Sequence, residues 1–253
     1  MDKKIYKHNS LNQIIFNLKF PYDLLDESKI KSFHENIKND LKHVFVKNKQ
    51  EVNLKLNNGK GEFKLENIPL SYVFHDKKTF EESTKYVEIG KNYVVLDYKT
   101  KDNNYSNFED IKSYIRTICV SLKAYELKET NYIGLRYINQ IICKKGKPFE
   151  WEGIIDSSLL NSNIYDKYEK ISNFMHTLSF KKDDFNIIFH FGQFNSDYPN
   201  PIARKEFVLD YDCSIDESKS LIDVVSITEQ MNNMIYNLFE DSIGEKLRRN
   251  MEE

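Results

Sequence analysis

Across residues 51–99, and again in 132–143, 184–194 and 204–213, apolar side chains recur at every second position. Such alternation suits strands with one face in a core and the other in water. It argues against a doubly wound parallel sheet, whose strands are buried on both faces and read as unbroken apolar runs. Within the first stretch, segments 51–57, 61–66, 70–75, 85–90 and 92–99 read as an antiparallel meander. Asn57-Asn58-Gly59 and Gly90-Lys91-Asn92 offer the left-handed residues that hairpin turns require. Residues 11–20 read as a further strand, stopped by Pro21.

Helical spacing appears between these strands. Residues 26–43 place Ile30, Phe33, Ile37 and Leu41 on one stripe, and residues 108–127, capped by Ser106 or Asn107, do the same with Ile111, Ile115, Ile118, Cys119 and Leu122. Residues 163–178 align Ile164, Tyr168, Ile171 and Met175. The last helix opens on Ser226-Ile227-Thr228-Glu229, which has the form of a capping box, and carries its stripe through Met231, Ile235 and Leu238 to Leu247. Its length would be on the order of 35 Å, enough to reach a neighbouring subunit, with Gly244 marking a close approach or the onset of fraying. The order of elements is similar in the two halves of the chain. The expected fold is therefore α+β: antiparallel sheets with helices on one face, in two similar lobes at 1–130 and 131–253, with a long C-terminal helix.

A chain of 253 residues that is 40% hydrophobic and 30% charged can bury a sizeable core, which excludes disorder as its general state. A net charge of −2 argues against a domain-wide basic footprint for nucleic acid and leaves only a local candidate, Lys144-Lys145-Gly146-Lys147. Cys119, Cys143 and Cys213 match neither a disulfide framework nor a zinc knuckle and read as reduced, structural thiols. With no apolar leader and no long apolar run, the chain is expected in the cytoplasm and not in a membrane.

Two polar arrangements are ordered rather than scattered. If strands 184–194 and 204–213 pair as a hairpin with their apolar faces together, His190 shares the opposite face with Glu206, Asp210 and Asp212. Three carboxylates and an imidazole of this kind suit Mg²⁺ or Mn²⁺ and a metal-activated water, so Glu206, Asp210 and Asp212 are candidate metal ligands and all four are candidate catalytic groups. A solvated face, with Arg136 or Arg204 pairing the carboxylates, is the plainer alternative. In Gly134-Leu135-Arg136-Tyr137-Ile138-Asn139, Arg136 beside Gly134 is a candidate ligand-binding group. Asn139 falls on the apolar face, where its amide needs a hydrogen bond to a loop or a place at a bulge. Phosphate-loop, dinucleotide, nucleophile-elbow and zinc-protease motifs do not occur.

Residues 11–20, the Gly134–Asn139 segment, Leu209-Asp210-Tyr211-Asp212 and the helix from Phe239-Glu240-Asp241-Ser242-Ile243 to Leu247-Arg248 together resemble a sporadically distributed prokaryotic family of uncharacterised proteins of about this length. The likeness spans essentially the whole chain. Gln13 and Asn232 stand where that family often has Glu and His. The resemblance implies a patchily inherited accessory gene, of the sort found near antiviral-defence or toxin-type systems. The leading expectation is a non-enzymatic interaction or regulatory protein without a cofactor, bound to a protein partner or to itself through the C-terminal helix or a sheet face. Two readings stay beside it: a metal-dependent phosphodiesterase or nuclease on the acidic face, and a small-anion sensor between two lobes using Arg136 and Asn139.

Overall fold

The computed structural model describes residues 6–57, 60–101, 105–160, 167, 168 and 170–253, with the backbone alone for 51–66 and 124. Strand β1 (Leu11–Lys19) runs through the middle of a single antiparallel sheet, with Ile14, Phe16 and Leu18 fully buried. On one side it pairs with β5 (Tyr93–Lys99), and the sheet continues through β4 (Lys85–Gly90) and β3 (Lys60–His75) to β2 (His43–Asn57) at the edge. On the other side it pairs with β7 (Tyr132–Cys143), followed by β10 (Lys205–Ile215), β9 (Phe185–Gln193) and the second edge strand, β8 (Phe174–Lys182). Two short strands, β6 (Glu129–Thr130) and β11 (Lys219–Ser220), pair apart from it.

The α+β class thus stands, and the two halves do follow a common plan. In each, the first strand is central and the later ones run inward from an edge. The halves share one sheet, however, because Phe16 is paired with Leu135 and Ile14 with Tyr137.

The helices cover one face. Helix α1 (Glu27–Ile37) is capped by Asp26, which accepts from the backbone of Ser28 and Lys29, and it buries Ile30, Phe33 and Ile37. Asn107 caps α2 (Phe108–Ser121) by accepting from the Glu109 amide at 2.8 Å. Helix α1 packs on α2, α2 on α3 (Val224–Ser242), and α3 on β7 and β10. Burial beneath them pushes the thiols of Cys119 and Cys213 up to about 12, as suits inert core cysteines.

Several boundaries differ from the sequence expectation. Helix α1 ends at Ile37 and not at 43, because Asn39 and Asp40 favour a turn; Leu41 is still buried and its carbonyl meets His34 Nε2 at 3.1 Å. The stretches 61–66 and 70–75 belong to one strand, and Pro69 between them lies opposite Asn48 beside a bulge at Leu70 of β3, a place where a strand tolerates proline. Helix α2 stops at Ser121 and tightens into a 3₁₀ turn, Leu122–Tyr125, before Glu126 in the left-handed region. Of the helix expected over 163–178, residues 174–178 are strand β8, whose register is set by the tight turn to β9 with Asp183 at φ 54°; residues 161–166 and 169 lie outside the described residues.

The C-terminal helix is also shorter than expected. α3 has 19 residues, about 28 Å, and a separate α4 (Glu245–Glu252) follows. Its first residue is Val224 after Asp223, so Ser226 falls inside the first turn and the expected capping box does not form. Its stripe is turned inward, with Val224, Met231 and Ile235 buried. The break at Ile243-Gly244 is a packing event. Ile243 bridges Ile155, Gly244 donates to the Ile154 carbonyl at 2.8 Å, and a Cβ on Gly244 would lie 2.2 Å from the Gly153 oxygen. In a continuous helix Gly244→Ala would be stabilising by about 1 kcal/mol, whereas at the observed break, where Gly244 has extended backbone as the N-cap of α4 and its Cβ would meet Gly153, it is destabilising by about 1–3 kcal/mol. Thermal unfolding of the variant decides by sign, and a raised melting temperature would contradict the close approach.

Candidate functional site

On the helix-free face the register brings the expected polar residues together. Asp210 is paired with His190 and Asp212 with Arg136, so His190, Glu206, Asp210, Asp212 and Arg136 share that face. All but Asp212 are engaged by a neighbour. Arg136 donates to both oxygens of Asp210, Nε to Oδ1 at 2.8 Å and Nη2 to Oδ2 at 2.6 Å, in the bidentate form that guanidinium and carboxylate favour. Gln140 donates to Glu206, and His190 Nδ1 lies 2.8 Å from the Thr177 hydroxyl. Among the described residues no three His, Cys, Asp or Glu side chains are grouped so that they could hold a metal ion. Arg204 is elsewhere, 3.5 Å from Asp197.

The polar row extends into the other half of the sheet. Gln13 Nε2 donates to both oxygens of Asp97, at 2.7 and 2.9 Å, and the Tyr86 hydroxyl donates to Asp97 at 3.1 Å. Beyond it, Lys47 and Tyr93 bind Glu88, each at 2.8 Å. Burial works to raise Glu88, but these partners outweigh it and hold the carboxyl below its ordinary value. Asp97 and Asp212 go the other way. Burial raises both, and the guanidinium of Arg136 only partly offsets the shift at Asp212 because its two donors are committed to Asp210.

The sign of the pH dependence follows. A carboxyl whose folded value lies above its unfolded 3.8 holds more protons in the folded state between those two values, so it disfavours folding when ionised and its cost is relieved as pH falls through that window. Asp212→Asn is therefore expected to raise stability at pH 7 and to flatten the gain on mild acidification. Asp210→Asn, which strips Arg136 of its half-buried ion pair, should lower stability by about 1–3 kcal/mol. Urea unfolding at pH 7 and pH 5 checks both, and equal effects of the two substitutions would contradict the assignment of Arg136 to Asp210.

Asn139 lies on the opposite, helix-covered face, so it and Arg136 cannot meet one ligand. Its surroundings are those expected of a buried amide. It is 5% exposed, and it is paired with Leu11 beside a bulge in β1 between Leu11 and Gln13. Its Nδ2 donates to the Leu209 carbonyl at 3.3 Å, and its Oδ1 accepts from the Ser10 hydroxyl at 3.4 Å. It also borders a cavity of about 760 Å³ between the sheet, the start of α2, α3 and the N-terminal segment 6–11.

The floor of this cavity is built from β7 and α3. The Tyr137 hydroxyl donates to Asn232 Oδ1 at 3.0 Å and is also bonded to Tyr105, which enters from the segment before α2. Burial raises the phenols of Tyr137 and Tyr105 above their ordinary value, so both stay neutral donors at physiological pH. The wall formed by segment 6–11 is tied to the C-terminus: Tyr6 donates to Glu240 at 2.7 Å, and the His8 amide donates to the Met251 carbonyl at 3.0 Å. At the mouth, Lys112 bridges Glu109, at 3.1 Å, and Glu229.

Tyr137, Tyr105 and segment 6–10 were given no role from the sequence, and Asn232 was named there only as standing where the resembling family often has His. The signal for them was present in part. Asn232 interrupts the apolar stripe of α3 between Met231 and Ile235 as Asn139 interrupts that of β7, and two amides at core positions on facing elements mark a polar site inside an apolar layer.

Compared with models of known protein families and with curated proteins, the chain matches none. No helix among the described residues is long and apolar enough to cross a membrane.

Proposed function

We propose that this chain is a non-enzymatic, small-molecule-binding protein whose ligand occupies the cavity between α2, α3 and the sheet. The observation that carries this reading is the cavity itself. Its volume of about 760 Å³ falls within the range of roughly 300–1,000 Å³ usual for small-ligand sites, and its lining mixes aromatic and aliphatic side chains with amides, serines and two glutamates. The groups at its floor, Asn139, Asn232 and Tyr137, are amides and a neutral phenol. These recognise a ligand by hydrogen bonding and, at neutral pH, neither take up nor release a proton.

A regulatory role is compatible with this placement. The cavity touches segment 6–11, the start of α2, α3 and Met251 of α4, so a bound ligand joins parts of the chain that are far apart in sequence. Its occupancy would be read as a change in how firmly these pieces hold together. The acidic face supports the phosphodiesterase reading less well, because Asp210 and Glu206 are already engaged by Arg136 and Gln140.

The test is a fragment panel screened by ligand-observed NMR against the native chain and Ser226→Trp. Ser226 is exposed at the cavity mouth, so the indole should block entry while changing stability by no more than about 0.5 kcal/mol. Binders that lose at least tenfold in affinity in the variant are expected. A panel whose binders ignore the substitution, or that yields no binder, would contradict the proposal.

A further inference from the structure

We propose that the cavity takes an uncharged planar heteroaromatic ligand of the nucleobase or nucleoside kind, which sets a donor–acceptor edge on Asn232 and its ring faces against the aromatic walls. This rests on the cavity being a ligand site at all.

Three observations converge on this class. The first is the state of the amide. The single proton of the Tyr137 hydroxyl goes to Asn232 Oδ1, which fixes the plane of the amide, and the carbonyl oxygen keeps a second lone pair while Nδ2 keeps two donors. A side-chain amide held in this way offers one acceptor beside one donor, the pattern that asparagine and glutamine use to engage the hydrogen-bonding edge of adenine. Behind it stands Asn139, whose two contacts at 3.3 and 3.4 Å are at the long end of hydrogen bonding and can yield to a better-placed partner.

The second is the shape of the walls. Tyr6, Tyr105, Phe108, Tyr236 and Phe239 border the cavity, and flat rings of this kind hold a planar ligand by stacking whichever heterocycle it is. The third is charge. Two carboxyl side chains, Glu109 and Glu229, line the cavity and share the one lysine at its mouth, Lys112, so among the described residues there acidic groups outnumber basic ones. A phosphate on the ligand would meet acidic groups at the mouth, so a base or nucleoside is preferred to a nucleotide.

The experiment measures affinities of the full chain by calorimetry for adenosine, guanosine, cytidine and uridine, for their 5′-monophosphates, and for indole, which stacks but presents no donor–acceptor edge. Native chain, Asn232→Leu, Tyr137→Phe and Ser226→Trp are compared, each with its melting temperature. The expected result is that at least one nucleoside binds and that its monophosphate binds at least tenfold more weakly. Asn232→Leu should lower nucleoside affinity at least tenfold, and Tyr137→Phe, which frees the amide to turn, several-fold; should Asn232→Leu fail to fold, Tyr137→Phe reads the same edge. A monophosphate that binds as well as its nucleoside, or an equal loss of nucleoside and indole in the amide variant, overturns the proposal. So does the failure of every nucleoside while unrelated fragments still bind and are displaced by Ser226→Trp, a result that leaves the cavity reading standing. Absence of any binder sensitive to Ser226→Trp overturns both.

Discussion

The pairing of β1 with β7 holds this molecule together. These strands come from different halves of the chain, and their seam, with Phe16 opposite Leu135 and Ile14 opposite Tyr137, turns two half-sheets into one. Closing so long a loop is entropically costly, and the buried apolar pairs along the seam offset it. The bulge at the start of β1 then sets what lies beyond. With Asn12 inserted, Leu11 points to the helix-covered side opposite Asn139, and segment 6–10 leaves the sheet toward the C-terminus, where His8 meets Met251. The cavity is the space left between that departing segment, the two helices and the floor of β7.

The two faces of the sheet solve opposite problems. The helix-free face carries many charged groups, and most are engaged in place: Arg136 pairs with Asp210 and Lys47 with Glu88, while Gln13 and Tyr86 hydrogen-bond Asp97. A buried or half-buried charge that has found its partner is costly to recruit for other work. The covered face is mostly apolar; of its polar side chains, Asn139 and Tyr137 meet Asn232 of α3 at one cavity, while Gln193 and Tyr211 lie outside it.

Period-two patterning made the antiparallel sheet legible, and parity along β9 and β10 correctly placed His190 with Asp210 on one face. The sequence also offered Arg136 or Arg204 as a partner for these carboxylates; that it is Arg136, and that it takes Asp210, depends on how three strands align side by side. Element ends were lost where tertiary contacts override local preference. Ile243 and Gly244 read as helix until a neighbouring backbone at Gly153 and Ile154 passes too close for the turn to continue, and residues 174–178 read as helix until β9 supplies a partner. The cavity was legible only as its halves, a misplaced amide in β7 and another in α3, since the contact between Tyr137 and Asn232 spans most of a hundred residues.

Hydrogen–deuterium exchange of the intact chain, with and without the small-molecule fraction of a cell extract, addresses most directly which face of the sheet is the working one. Binding in the cavity protects backbone amides of segment 6–11, residues 105–109 and α3, and leaves β8 and the outward row of β9 and β10 unchanged. Protection confined to β8–β10 around His190 and Asp212, with the cavity segments unaffected, would contradict this account and return the acidic face to first place.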